Sequence, residues 1–291
     1  MKIAVIGLGS MGYGIAASLR RAGLEVWGLD VDAARSERFH AEGGAPGSPQ
    51  ADDLDAVVSV VLNAAQTESV LFGAEGIVPG MREGTLVVSC ATVPPAFARE
   101  MASRCAERGV EYLDAPMSGG AARAMAGELS YMASGSAAAF AAAAPILDAS
   151  GAQVFNLGQE AGLGSAMKAV NQMLAGIHIA AMAEAMAFGV GQGIDPETFM
   201  RVIPRCAGTS WMLENRGPHV RDGDYAPRSA VDIWPKDLGI VSDIARAARY
   251  PAPLTAAALQ QFLAASASGL GGEDDAAVVK IYARNGAVAL P

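Results

Sequence analysis

Lys2-Ile3-Ala4-Val5-Ile6-Gly7-Leu8-Gly9-Ser10-Met11-Gly12 is the stretch from which the rest of the chain is read. A short apolar run, Lys2 to Ile6, has the length and composition of a buried strand. Three glycines follow in the spacing Gly7, Gly9, Gly12. A helical pattern then runs from Tyr13 to Arg21, and a second strand pattern, Glu25 to Leu29, ends at Asp30. Strand, glycine turn, helix, strand and acid is the order that a dinucleotide-binding unit requires. Gly7 permits the tight turn, Gly9 lets the backbone approach a pyrophosphate, and Gly12 allows close helix packing. The helix N-terminus offers amides and dipole to the phosphates. Gly7, Leu8, Gly9, Ser10, Met11 and Gly12 are therefore expected at a cofactor. Asp30 is expected to accept hydrogen bonds from the adenosine ribose and to repel a 2′-phosphate. Val31 and Asp32 offer no arginine to receive that phosphate, so NAD is expected over NADP. The competing role for Asp30 is a cap on the helix from Ala33.

The alternation continues outward. Val57 to Leu62, Thr85 to Ser89, Val110 to Leu113, Leu129 to Ala133 and Gln153 to Phe155 read as strands, with helical patterns between most of them. The fold class expected for residues 1–160 is α/β, a doubly wound and mostly parallel sheet. Ligands in such sheets bind beyond the carboxyl ends of the strands. The loops there are residues 63–65, 90–94 and 114–120. Ser118-Gly119-Gly120 can present successive backbone amides to an anion, although a simple turn would also use these residues.

A second stretch, Gly162 to Gly189, reads as one long helix without proline, rich in Ala, Met, Leu and Ile. Apolar or small residues occupy nearly every face, so it is expected to be buried all round. It is long enough to span a bilayer, but His178 and Glu184 interrupt it, and a membrane span is rejected. Lys168, Asn171 and Gln172 share one face at i, i+3, i+4. A lysine beside two carboxamides on so apolar a helix is costly unless it is paired or functional; an exposed first turn with a snorkelling stem is the alternative. Beyond residue 192 only helical patterns follow. Asp195-Pro196-Glu197 starts one helix, Pro235 opens another bearing Lys236 and Asp237, Pro251 and Pro253 divide that from the next, and Asp275 caps the last, closed by Asn285-Gly286. Residues 161–291 are expected to form an all-α domain organised around the long helix.

The 291 residues suit about two domains. Hydrophobic residues make up 52%, inflated by alanine, and charged residues 18% with a net charge of −9. An acidic chain without Lys/Arg runs argues against nucleic acid and anionic membrane as partners. Cys90, Cys105 and Cys206 show no metal or disulfide spacing, and a reduced cytoplasm fits. No metal site and no signal peptide are expected.

The chain resembles the β-hydroxyacid dehydrogenases, typified by 3-hydroxyisobutyrate dehydrogenase and tartronate semialdehyde reductase. The resemblance spans essentially the whole sequence. It rests on Ile6 to Gly12, Asp114 to Gly120, Gly162-Leu163-Gly164 leading to Lys168 and Asn171, and Lys236-Asp237-Leu238. It implies a Rossmann domain, a helical substrate and oligomerisation domain, and a homodimer or homotetramer packed through the helical part. It implies that Lys168 is catalytic, that Ser118, Gly119 and Gly120 hold a substrate carboxylate, and that Asn171 and Gln172 bind substrate. Thr92, Val61, Leu62 and Lys236 are implied at the cofactor. Gln172, Leu62 and Ala91 replace an asparagine, a proline and a serine common in the family.

Gln172 to Ala181, Ser210 to Arg216, and Asp224-Tyr225 through Asp232-Ile233 are unusual for the broad family and resemble its L-threonate dehydrogenase branch. That branch implies NAD-dependent oxidation of a four-carbon sugar acid to 2-oxo-tetronate. Its extra hydroxyls need partners, since a buried unpaired hydroxyl costs roughly 1–3 kcal/mol; Gln172, His178 and Arg123 are candidates. Lys168 would take the hydroxyl proton, and burial would lower its pKa in the required sense. The alternatives are a tartronate semialdehyde reductase, a 3-hydroxyisobutyrate dehydrogenase, an imine reductase of the same architecture, which usually lacks the lysine, and a non-catalytic NAD-binding module.

Overall fold

The computed structural model describes residues Met1–Leu290. The chain divides into two compact units, Met1–Lys168 and the residues from Ala169 onward. In the first unit β1 (Lys2–Ile6), α1 (Gly12–Arg21), β2 (Glu25–Leu29), α2 (Ala33–Ala41), β3 (Ala56–Ser59), α3 (Ala64–Phe72), β4 (Leu86–Ser89), α4 (Pro95–Ala106) and β5 (Glu111–Asp114) alternate. Then come β6 (Met117–Ser118), α5 (Gly120–Ala126), β7 (Leu129–Ala133), α6 (Ala137–Ser150) and β8 (Gly151–Asn156). The long helix α7 (Leu163–Gly191) begins in this unit and ends in the second.

Strands β2-β1-β3-β4-β5 form one parallel sheet in that order. Its side chains follow the two-residue period of a strand. Ile3, Val5, Val58, Val88 and Leu113 face one hydrophobic layer with Ile15, Leu19 and Ile146. Ala4, Val57, Val87 and Tyr112 face the other with Leu71 and Met101. Both faces are dry, which is why these strands read as near-continuous apolar runs.

The sheet expected from sequence continues through Leu129–Ala133 and Gln153–Phe155; the structure divides it. β6, β7 and β8 form a separate three-stranded sheet in which β6 is antiparallel to β7. Pro116 supplies the reason, since it has no N–H with which to extend the β5 ladder. Its carbonyl instead accepts from Met132 N–H at 2.9 Å. One antiparallel bridge, Asp114 with Ser134, links the edge of β5 to the second sheet. β3 also ends at Ser59, three residues short of the expected Leu62.

Asp114 ends β5 with a buried carboxylate. It accepts from Gly162 N–H at 2.9 Å, from Ser165 N–H at 2.8 Å and from Ser165 Oγ at 2.7 Å. These amides belong to the first turn of α7, which no residue inside the helix can satisfy. The negative charge also meets the positive end of the helix dipole. Burial pushes the Asp114 carboxyl up, and the hydrogen bonds from Ser165, Gly162 and Ser134 pull against it.

The second unit is helical throughout. After α7 come α8 (Pro196–Val202), α9 (Trp211–Arg221), α10 (Ile233–Ala247), α11 (Pro253–Ala265) and α12 (Val279–Asn285). Ile179, Met182, Ala183 and Met186 of α7 pack with Phe199, Leu213, Trp234, Leu238, Phe262 and Ile281. Trp234 and Phe262 stack with ring centres 5.4 Å apart. By length and composition α7 could cross a membrane, but 44% of its most apolar stretch lies buried within the protein, and it serves as a core helix. It is not buried all round, however: Leu163, Met167, Val170 and Leu174 form an exposed apolar stripe at 43–52% exposure.

Asp274, not the expected Asp275, caps the last helical segment by accepting from Ala276 N–H. Asp274 also meets His219 Nδ1 at 2.8 Å and Arg228 N–H at 3.0 Å. Burial works against its charge, but the His219 and backbone hydrogen bonds outweigh it and hold its carboxyl below the usual range. Asp275 points inward, fully buried, to Arg216 at 2.6 and 3.2 Å and Trp234 Nε1 at 3.0 Å.

Two outcomes are expected. Asp114→Ala leaves the Gly162 and Ser165 amides unpaired and should cost about 2–5 kcal/mol, read as a lowered urea midpoint; an unchanged midpoint would refute the anchoring role. Burial pushes the Cys90 and Cys105 thiols up to about 12, whereas Cys206 is exposed. A thiol reagent at neutral pH should therefore titrate one cysteine in the native protein and all three after unfolding.

Candidate active site

The glycine turn is built by close contacts. Gly7 holds φ +96° and donates its N–H to Leu29 O at 2.8 Å. A Cβ on Gly12 would lie 1.8 Å from Gly7 O, so no side chain fits there. Nothing lies within 4 Å of where a Cβ on Gly9 would point. That open space over the turn, beside the start of α1, fits a pyrophosphate.

Asp30 is bound into the same turn. Its Oδ2 accepts from Leu8 N–H at 2.7 Å and its Oδ1 from Asp32 N–H at 2.9 Å. Asp32, not Asp30, caps α2, through Ala34 N–H. Inspection of Val31 and Asp32 alone overlooks Arg35, whose guanidinium lies 3.6 Å from Asp30 and 3.3 Å from Asp32. Five residues on, Arg35 returns to Asp30 through the first turn of α2. A cavity of about 350 Å³ with a mixed polar and apolar lining opens at Ile6 and Leu29, the carboxyl ends of β1 and β2, walled by Pro49, Ala51, Val70, Glu75, Gly76 and Ile77. It suits a flat heteroaromatic ring. These wall residues come from a loop and a helix with no motif of their own, and sequence reading missed them.

Val61 packs with Ala91, Val93 and Ala98 beyond the ends of β3 and β4. Leu62 beside it is exposed, its N–H held by Gln66 Oε1 at 2.9 Å. Thr92, partly buried, follows β4 in the neighbouring loop.

Lys168 is 9% exposed, so the snorkelling alternative does not hold. Its Nζ donates to Met117 O at 2.8 Å, immediately before Ser118-Gly119-Gly120. Gly119 and Gly120 hold φ of +143° and +78°, and open space faces Gly120. The structure thus brings the lysine to the loop within the first unit. The stem of Arg123 packs under Gly119.

Asn171, Gln172, Lys236 and Asp237 meet within the second unit. Asn171 Nδ2 donates to Gln172 Oε1 at 2.9 Å, and Gln172 Nε2 donates to Asp237 Oδ2. Lys236 Nζ lies 2.7 Å from Asp237 Oδ1. The Gln172 amide is thereby engaged at both ends, and Asp237, which the sequence showed only as part of the Lys236-Asp237-Leu238 motif, is its partner. His178 is partly buried farther along α7. Among the described residues no group of three or more His, Cys, Asp or Glu side chains is placed to hold a metal ion.

Two family models match the chain. Residues 2–158 match the NAD binding domain of 6-phosphogluconate dehydrogenase, and residues 162–282 match the NAD-binding domain of NADP-dependent 3-hydroxyisobutyrate dehydrogenase. The L-threonate dehydrogenase of Cupriavidus necator is 52% identical over 96% of this chain and 95% of its own. That of Escherichia coli K12 is 47% identical over 96% and 94%. A crystal structure of 3-hydroxyisobutyrate dehydrogenase from Salmonella typhimurium superposes with a TM-score of 0.90, at 46% identity over 97% of this chain and 99% of that one. The glycine turn, the lysine at its loop and these relatives agree: the chain belongs to the β-hydroxyacid dehydrogenase family and is an NAD-dependent hydroxyacid dehydrogenase.

Proposed function

We propose that this enzyme oxidises L-threonate to 2-oxo-tetronate with NAD. The observation that carries the catalytic part is the buried Lys168 ammonium held by Met117 O beside Ser118-Gly119-Gly120. A group that moves a proton must lie within hydrogen-bond reach of a bound substrate and be shielded from water. Lys168 meets the second condition, and a carboxylate seated on the glycine loop supplies the first.

When bound, the nicotinamide supplies the hydride acceptor. Lys168, as the neutral amine, keeps a lone pair while donating to Met117, and that lone pair takes the carbinol proton. In reverse the ammonium returns it. Ser118, Gly119 and Gly120 hold the substrate carboxylate; Asn171 and Gln172, one turn beyond Lys168 on α7, serve the substrate's polar groups. Gly7 to Gly12 and Asp30 hold the phosphates and ribose, and Val61, Leu62, Thr92 and Lys236 line the cofactor. Residues 1–160 are the cofactor domain and 161–291 the substrate domain.

The choice of L-threonate is supported by the identity to the L-threonate dehydrogenases and by the Gln172 to Ala181 segment that the sequence shares with that branch. A second reading, 3-hydroxyisobutyrate, is favoured by the name of the Salmonella structure. We infer a soluble, cytoplasmic homodimer or homotetramer. The exposed stripe Leu163, Met167, Val170 and Leu174 supports association, because a contiguous apolar surface is costly in water.

NADH absorbance with L- and D-threonate, D-glycerate, tartronate and 3-hydroxyisobutyrate, each with NAD and NADP, tests the choice. L-threonate should give the highest kcat/KM. Silence across the panel with NAD bound would point to a non-catalytic module. Lys168→Ala should lower turnover about 10²–10⁴-fold while the NAD dissociation constant, followed by fluorescence, stays put; near-normal turnover would remove the lysine from the chemistry. Asp30→Ser relieves the repulsion of a 2′-phosphate and leaves Arg35 to meet it. The NAD-to-NADP ratio of kcat/KM should fall by about tenfold, roughly 1.4 kcal/mol; an unchanged ratio excludes the ribose role.

A further inference from the structure

In the second unit three side chains form a polar line that runs in one direction only. Asp237 is 2% exposed, on the buried side of α10. An ionised carboxylate can accept hydrogen bonds but not donate them. Gln172, 8% exposed, must therefore present its NH₂ to Asp237, as it does. That turns Gln172 Oε1 the other way, toward Asn171. Asn171 must answer with its own NH₂, at 2.9 Å. Its carbonyl Oδ1 is then the end of the amide directed away from Gln172. Reversing either amide would set two acceptors or two donors against each other in a buried place, at the cost of a lost hydrogen bond. Lys236 Nζ lies 2.7 Å from Asp237 Oδ1, so the carboxylate's other oxygen is engaged as well and Oδ2 is the one left to Gln172.

Asn171 is partly exposed, so a small molecule can reach it. It lies three residues beyond Lys168, on the same face of α7 and about one helical turn away. The group it meets is thus the substrate's next polar substituent, not the reacting one.

We infer that Asp237 is a specificity-determining positioning residue. Acting through Gln172, it fixes Asn171 with its carbonyl oxygen toward the substrate, so the site selects an acid with a hydroxyl donor next to the reacting carbinol. A second carboxylate at that position would face an acceptor and be disfavoured. The inference rests on the reading that Asn171 contacts the substrate.

The test compares L-threonate with 2,4-dihydroxybutyrate, which lacks the C3 hydroxyl, in the full-length enzyme. The wild type should prefer L-threonate by at least about tenfold in kcat/KM, because a site built to pair a hydroxyl rejects the analogue without one. Asp237→Asn removes the obligate acceptor and lets both amides turn. Gln172→Met cuts the line while keeping the Asp237–Lys236 pair, and it carries the test if the first variant does not fold. In each, the preference should fall about tenfold, through a raised KM for L-threonate more than a lowered kcat. Equal loss on both substrates, in variants whose circular dichroism matches the wild type, would overturn the inference in favour of a purely structural role. So would an unchanged preference. Failure of the wild type to oxidise L-threonate at all would count against the proposed substrate instead, and the two failures are distinguishable.

Discussion

The arrangement of the first unit depends on one buried carboxylate. Asp114, at the last residue of the fifth strand, takes the amides of Gly162 and Ser165 and so ties the start of a 29-residue helix to the edge of the sheet. Lys168 follows Ser165 by three residues, within one turn. Its ammonium is held by Met117, which follows Asp114 by three residues on the other chain segment. The lysine is thus located by two short spans of backbone that diverge from the same acid. Burying a charge without such partners would cost several kcal/mol. Here the helix end needs an acceptor and the acid needs donors, and each supplies the other.

The second unit handles polarity in a similar way. Its core is largely aliphatic and aromatic, and its buried aspartates are matched to partners of opposite character. Asp237 orders two carboxamides. Asp274 and Asp275, adjacent in sequence, point apart to His219 and to Arg216 with Trp234. Paired this way, buried polar groups restrict the packing to one arrangement, because any alternative leaves one of them without a partner.

The local features were legible in the sequence. The glycine turn, the strand that precedes it and Asp30 lie within 30 residues, and their spacing is set by backbone geometry. Lys168, Asn171 and Gln172 were visible as polar residues on an apolar helix; that Lys168 reaches Met117 beside the glycine loop, and that Gln172 reaches Asp237, was not. What could not be read depends on contacts between distant segments. The partners of Asp114 come from 20 to 51 residues away. The break in the sheet follows from Pro116, whose effect is clear only once β5 is seen as an edge. Arg35 is not apparent from the two residues after Asp30, because it is the first turn of a helix that brings the fifth residue back. Asp274 and Asp275 carry equal capping propensity, and only the position of Arg216 decides which one turns inward. The expectation of uniform burial for the long helix failed because composition does not separate a buried face from an apolar one that remains in water.

The opposed aspartates have a consequence for how the second unit comes apart. Arg216 and His219 sit on one helix, α9, and Arg228 follows it. Their two acids lie together just before the terminal helix. Neither segment can leave without stranding ions in an apolar interior. Residues 211–228 and 274–285 are therefore bound to loosen as one cooperative block, and the terminal helix, although last in the chain, is not free to fray as chain ends commonly do.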